Sequence, residues 1–333
     1  MLTVRYKRKN VLPKLVPEMP PSANSIAQSS NRKAKTTRSS NVWRGSLSDF
    51  AQSLNLLVRS EIRVLIFVWA LAVAYLVASK LEPNYETLAL LVISGYFLVL
   101  GIYFLSDIAD IEYDRINSPN RPLASGRVKT RHAEIIAVSL ISASLLAVSM
   151  VNAATLSLFV VFLLLGLSYS IPRANVKRIF PLKAVVPSSG AAVITLAGGL
   201  AAQGLRPVVF FIAIAFALFA LVTLLLGDIA DLKGDSRTGV RSFPIVIGPK
   251  NSVLFVMTIP IIIGGLGVAF FQLAQLNIAF PILLICFCAY SSITMRPLLS
   301  RYEEPEVCRR VKSRMRIAHF LMQFIFLLGI LAI

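Results

Sequence analysis

Nine apolar stretches leave this chain few ways to fold. Their approximate cores are 62–79, 87–105, 133–151, 154–171, 184–203, 207–227, 251–271, 278–295 and 315–333. Each is long enough to cross a hydrocarbon layer that takes about 20 helical residues. Lipid offers no hydrogen bonds, so a spanning segment must satisfy its own backbone. A helix does this alone, whereas strands need a closed barrel. Long apolar runs without alternation therefore predict an all-α polytopic membrane protein, a bundle of nine transmembrane helices. The composition agrees: 56% hydrophobic residues and a mean hydropathy of +0.73 are too apolar for a water-soluble domain.

The charges sort by side. Through Arg63 the N-terminal region carries 12 Lys/Arg, and the loops near 106–131, 172–183, 228–250 and 296–316 carry 5, 4, 4 and 7. The alternate loops hold only Lys80 and Arg206. With 32 of 34 basic residues on one side, the positive-inside rule predicts a cytoplasmic N-terminus and four cytoplasmic loops. The net charge of +18 then reflects topology, and the partner it calls for is the lipid bilayer, not nucleic acid. Residues 1–45 hold ten Lys/Arg against Glu18 alone, with no apolar periodicity. They predict a disordered basic tail ahead of a transmembrane domain over 46–333. The tail lacks the apolar core of a secretory signal, while an organelle transit peptide and a segment resting on anionic lipid both fit it. Residues 46–60 read as a short amphipathic helix. The expected setting is a bacterial or archaeal plasma membrane, ahead of an organelle membrane.

Cys286, Cys288 and Cys308 form no Cys-x-x-Cys pair, so neither zinc nor a redox dithiol is indicated. His132 and His319 are too few for a His-based metal site and read as structural.

The chemistry lies in two carboxylate triplets. Asp107, Asp110 and Asp114 stand at i, i+3 and i+7 after the almost uncharged run Thr87 to Leu105. Asp228, Asp231 and Asp235 repeat the spacing, down to the letters Asp-Ile-Ala-Asp, after another apolar segment. On a helix such residues project from one face. Like charges repel and the membrane edge penalises them, so two copies call for something cationic. Hard oxygen ligands beside phosphates suit Mg²⁺ best. Both triplets fall on the predicted cytoplasmic side. The loop between them carries Tyr169-Ser-Ile-Pro-Arg173, Lys177, Arg178 and Lys183. Lys183 reads as a flanking topological charge. Lys177 and Arg178 are placed to take phosphate charge while Mg²⁺ holds diphosphate oxygens. That equipment ionises an allylic diphosphate, and the apolar interior houses an isoprenoid tail away from water.

Over about residues 50–333 the chain resembles the UbiA-type intramembrane prenyltransferases. The family's first motif, Asn-x-x-x-Asp-x-x-x-Asp, appears as Ser106, Asp110 and Asp114 with Asp107 beside it, running on through Asp114-Arg115-Ile-Asn-Ser-Pro-Asn-Arg121-Pro-Leu-Ala-Ser-Gly126. Tyr169-Ser-Ile-Pro172 with Lys177-Arg178 is similar too, as are Asp228, Asp231, Gly234-Asp235 and Gly239-Val-Arg-Ser-Phe-Pro244. The resemblance implies a nine-helix bundle with a lateral opening to lipid and a Mg²⁺-diphosphate site at its cytoplasmic end. It implies catalytic roles for Asp110, Asp114, Asp231 and Asp235, and metal ligation by these with Asp107, Asp228 and Ser106. Arg115, Arg121, Tyr169, Lys177 and Arg178 would bind the diphosphate. One departure stands out: Ser106 occupies the place of the family's Asn, offering a shorter hydroxyl arm.

The implied reaction is Mg-dependent transfer of a prenyl group from a polyprenyl diphosphate donor to a hydrophobic or aromatic acceptor. A small aromatic or quinone precursor or a lipid is expected, with a glyceryl-phosphate or chlorophyllide-type acceptor as the alternative. Leu123-Ala-Ser-Gly126 and Arg241-Ser-Phe243 are similar to quinone and tocopherol-type enzymes, Asn120-Arg-Pro122 to glyceryl-phosphate and chlorophyll-type ones. A same-fold terpene cyclase also fits. A transporter would place carboxylates at mid-membrane, but no Asp or Glu lies there. A lipid-head-group phosphotransferase would show Asp-Gly pairs followed by Ala-Arg, which are absent.

Overall fold

A computed structural model of the chain describes residues 41–60, 64–170, 176–202 and 204–331. The tail expected over 1–45 lies outside the described residues as far as 40, as do Ile171, Pro172 and Arg173. The chain divides into two compact units, Met1–Leu47 and Ser48–Ile333. Every described element is helical. In order they are α1 (Asn41–Ser60), α2 (Val64–Ala78), α3 (Tyr85–Ala109), α4 (Ile111–Asn117), α5 (Thr130–Ser149) and α6 (Ala153–Ser170). A 3₁₀ turn, Val176–Arg178, precedes α7 (Leu182–Ala201), α8 (Pro207–Ala230), α9 (Leu232–Thr238) and α10 (Phe243–Val246). Then come α11 (Pro249–Phe270), α12 (Ala279–Met295), α13 (Leu298–Arg301) and α14 (Pro305–Ile330).

Eight helices among the described residues are long and apolar enough to cross a membrane: α3, α5, α6, α7, α8, α11, α12 extended through α13, and α14. The ninth expected span corresponds to α2. At 15 residues it reaches only about 22 Å, and Ser48–Arg59 meets it at a 69° bend. The chain is an integral, multi-pass membrane protein. Large apolar side chains such as Val138, Leu146, Leu164, Ile261, Ile293 and Ile317 are exposed along the spans, where lipid would cover them.

Helix starts follow local chemistry. Proline opens α8, α11 and α14, where a missing N–H is no loss. Asn84 caps α3 by accepting from the Thr87 N–H at 2.9 Å. The last span begins earlier than expected. Residues 305–316, grouped with the basic loop by their charges, are the first turns of α14. Val307, Cys308, Val311 and Met315 are buried there at helical spacing while Arg309, Arg310 and Arg314 stay exposed. The far end of α14 is tied down by Asn277. Its N–H donates to Gly329 O at 2.8 Å, and its Nδ2 donates to Leu328 O and Leu331 O at 2.8 and 2.7 Å.

Two apolar clusters fill the bundle. One draws on α8, α11, α12 and α14, the other on α3, α5 and α6, and α2 and α7 contribute to both. α2 and α7 pack unusually closely. A Cβ at Gly198 would run into the backbone carbonyl of Leu71, so only glycine permits this approach.

Candidate active site

Both carboxylate triplets sit where a long apolar helix gives way to a one- or two-turn helix. α3 ends at Ala109 and α4 begins at Ile111; the junction residue Asp110 has φ −99° and ψ 6°. α8 ends at Ala230 and α9 begins at Leu232; Asp231 has φ −99° and ψ 9°. The i→i−4 bonds run through each junction. Asp110 N donates to Ser106 O at 3.0 Å and Asp114 N to Asp110 O at 2.8 Å; Asp231 N donates to Gly227 O at 3.0 Å and Asp235 N to Asp231 O at 2.9 Å. One backbone device is used twice.

Each expected row of three carboxylates thus has a turn residue at its centre. The outer two of each row share one cation, and the middle one does not join them in that pairing. In the first half Arg121 Nη1 donates to Asp107 Oδ1 at 2.9 Å and to Asp114 Oδ2 at 2.7 Å. In the second, Lys183 Nζ lies 2.9 Å from Asp228 Oδ1 and 2.5 Å from Asp235 Oδ2. All four outer carboxylates are buried. Each pair is two like charges held by one opposite charge, which is how such charges tolerate burial.

The middle aspartates differ. Asp110, its side chain 31% exposed, accepts from Lys177 Nζ at 2.6 Å. The same amine reaches Ser106 Oγ at 3.4 Å and lies 5.2 Å from the centre of the Tyr169 ring. Asp231 is exposed and has no ion pair among the described residues. Tyr113 on α4 connects the halves electrostatically. Its phenol is pushed above the usual range, first by burial, then by Asp235 and Asp231 of the second half, with Asp110 adding to the effect.

Of the residues read from sequence, Ser106, Asp107, Asp110, Asp114, Arg121, Tyr169 and Lys177 form one cluster, and Asp228 and Asp235 another around Lys183. Arg115 and Arg178 are exposed and pair with none of these carboxylates among the described residues; the Arg178 carbonyl instead accepts the Arg241 N–H at 3.4 Å. Lys183, taken as a flanking charge, proves to be the cation of the second half. Its only sequence signal is a lone charge at the head of an apolar helix. Tyr113 was also passed over, although it lies inside the first motif.

Among the described residues no group of three His, Cys, Asp or Glu side chains is close enough to hold a metal ion. The outer carboxylates close on lysine and arginine instead. The donor set nonetheless fits Mg²⁺: six carboxylates and a hydroxyl, all hard oxygens. Asp228 Oδ2 is buried with no hydrogen-bond partner among the described residues, a ligand-grade oxygen left unused by the protein.

Comparison with known proteins bears on this arrangement. The model of the UbiA prenyltransferase family matches residues 67–322. The digeranylgeranylglyceryl phosphate synthase of Pyrococcus furiosus is 29% identical over 265 residues, 77% of this chain and 89% of that protein. Homogentisate phytyltransferase 1 of Arabidopsis thaliana is 33% identical over 169 residues, 46% of this chain and 43% of that one. Among solved structures, a UbiA homologue from Archaeoglobus fulgidus bound to GPP and Mg²⁺ superposes with a TM-score of 0.64 at 18% identity, covering 82% of this chain and 99% of that one.

Proposed function

The chain belongs to the UbiA prenyltransferase family, and from that premise we propose that it moves a prenyl group from a polyprenyl diphosphate to a membrane-embedded glyceryl phosphate. The observation that carries the reading is the twice-built junction: two carboxylate triplets at helix ends, each with its outer pair bridged by one cation. A diphosphate held with divalent metal would call for hard oxygens and for cations beside them.

The chain's residues divide the work. Asp110, Asp114, Asp231 and Asp235, with Asp107, Asp228 and the Ser106 hydroxyl, would hold Mg²⁺. When bound, Mg²⁺ neutralises diphosphate oxygens and stabilises the charge that grows on them as the allylic C–O bond breaks. Lys177, Arg121 and Lys183 offer fixed positive charge to the same oxygens, preplaced and so without reorganisation. The apolar interior receives the isoprenoid tail and keeps water from the allylic carbon. The site and N-terminus are assigned to the cytoplasm, supported by the 32 of 34 basic residues on that side.

The glyceryl-phosphate acceptor is supported by the extent of the match to the Pyrococcus furiosus synthase, 89% of its length against 43% for the plant phytyltransferase. An aromatic acceptor is the second reading, favoured by the higher identity of that shorter match. The deciding experiment incubates purified protein, Mg²⁺ and labelled geranylgeranyl diphosphate with geranylgeranylglyceryl phosphate or homogentisate. We expect labelled ether lipid and none without Mg²⁺. Product from homogentisate alone would replace the acceptor, and full activity in EDTA would remove the metal. For topology, Ser118→Cys and Ser236→Cys should label only from the cytoplasmic face; labelling of either from outside alone sinks the orientation.

A further inference from the structure

Each half of the site has a position four residues before the middle aspartate, and there the halves diverge. In the first half it is Ser106, whose Oγ accepts from Lys177 Nζ at 3.4 Å while the same amine holds Asp110 at 2.6 Å. In the second it is Gly227. A Cβ on Gly227 would collide with Nζ of Lys312 on α14, with the Lys312 Cε next nearest. The missing side chain at 227 is what makes room for that amine. Lys312 is half-buried on the inward side of α14, between buried Val311 and Met315. An ammonium inside a membrane-spanning helix is expensive unless it meets negative charge. Asp228, the residue after Gly227, is near enough to feel its charge, after those of Lys183 and Asp235. The basic loop counted from sequence had included Lys312 as one topological charge among seven.

We propose that Lys312 is the second half's counterpart of Lys177, a phosphate-binding cation that reaches over Gly227 and joins Lys177, Arg121 and Lys183 in holding the diphosphate. The assignment rests on the reading of the site as a diphosphate site. Lys177 is anchored beside a serine on α3; Lys312 comes from the last helix, across a glycine on α8. Together they make the electrostatics of the two halves equivalent where the sequence motifs are not.

The test is equilibrium binding of labelled geranylgeranyl diphosphate to purified full-length protein in lipid nanodiscs, with and without Mg²⁺, beside the thermal midpoint of the unliganded protein. Losing one charge-assisted hydrogen bond should weaken binding about tenfold to a hundredfold in Lys312→Met. Lys312→Arg, which keeps the charge, should stay within about threefold of the wild type. Gly227→Ala should push the amine aside and weaken binding in the same direction, and should add nothing in a Lys312→Met background. If Lys312→Met does not fold, Gly227→Ala and Lys312→Arg carry the test. Affinity unchanged in Lys312→Met, with only a lowered thermal midpoint, makes the lysine structural and overturns the proposal. So does Lys312→Arg binding as weakly as Lys312→Met. If the wild type fails to bind the diphosphate, the diphosphate-site reading falls. If it binds and Lys312→Met binds equally well, only the assignment of Lys312 falls.

Discussion

The two halves of the site share a backbone and differ in where their cations come from. Around Asp110 and around Asp231 the helix break, the dihedral angles and the hydrogen bonds are nearly the same. Yet the first half takes its bridging cation from Arg121, seven residues beyond Asp114 in the same stretch of chain, and the second from Lys183, 52 residues from Asp235 on another helix. The outer pair of the first half is therefore held by a local cation, within one segment, while its middle aspartate takes Lys177 from 67 residues away. The second is neutralised only when α7 packs against α8 and α9. The same carboxylate chemistry can thus be local or tertiary depending on where a single cation is encoded.

The largest expected effect tests the likeness. Asp110→Asn and Asp231→Asn should each cost at least about 10²–10³-fold in prenyl transfer, because on the proposed reading each removes a hard charged ligand at the same junction. Rates measured with labelled donor decide it: one variant keeping near-normal turnover would show that the halves are not equivalent. Next comes the difference in the bridging cations. Lys183→Met leaves two buried carboxylates without their cation and should lower stability by about 3 kcal/mol. Arg121→Met should lower it by about 1 kcal/mol, since Arg121 is one-third exposed and solvent screens its pairs. Thermal denaturation in detergent reads both, and equal losses would erase the local-versus-tertiary distinction.

Smaller effects sharpen it further. Lys177→Ala should lower kcat/KM for the donor roughly tenfold through loss of a charged contact, whereas Arg178→Ala should change it less than about twofold, as expected of an exposed side chain with no ion pair among the described residues. If both keep wild-type kinetics, the 3₁₀ turn is topological only. Smallest is Ser106. Ser106→Ala should cost at most about fivefold, removing one neutral ligand that water replaces, and Ser106→Asn should lower the Mg²⁺ concentration for half-activity. A Mg²⁺ titration checks both; Ser106→Ala as inactive as Asp110→Asn would make serine an essential ligand.

The span positions were legible because they depend on run length and hydropathy, which the lipid reads in the same way as a count of residues. The first turns of α14 were hidden by charge density, although Val307, Val311 and Met315 carried the helical period. The triplets were legible as spacing, but their break was not. Nothing in Asp-Ile-Ala-Asp announces a junction, and the same i→i−4 bonds run through it. Lys183 was out of reach for a different reason. Its partners lie on other helices, and a topological charge and a site cation look alike in sequence. Lys177 could be singled out because its loop sits between the two triplets in sequence, and the structure brings it to Asp110.

The glycine contact between α2 and α7 bears on traffic. Where Gly198 meets the Leu71 carbonyl, backbone lies against backbone, and no methylene chain fits between them. That seam is a wall. On the proposed reading, a long hydrocarbon tail passes elsewhere than through this contact. A bulky residue at 198 would force the wall apart without opening a useful door.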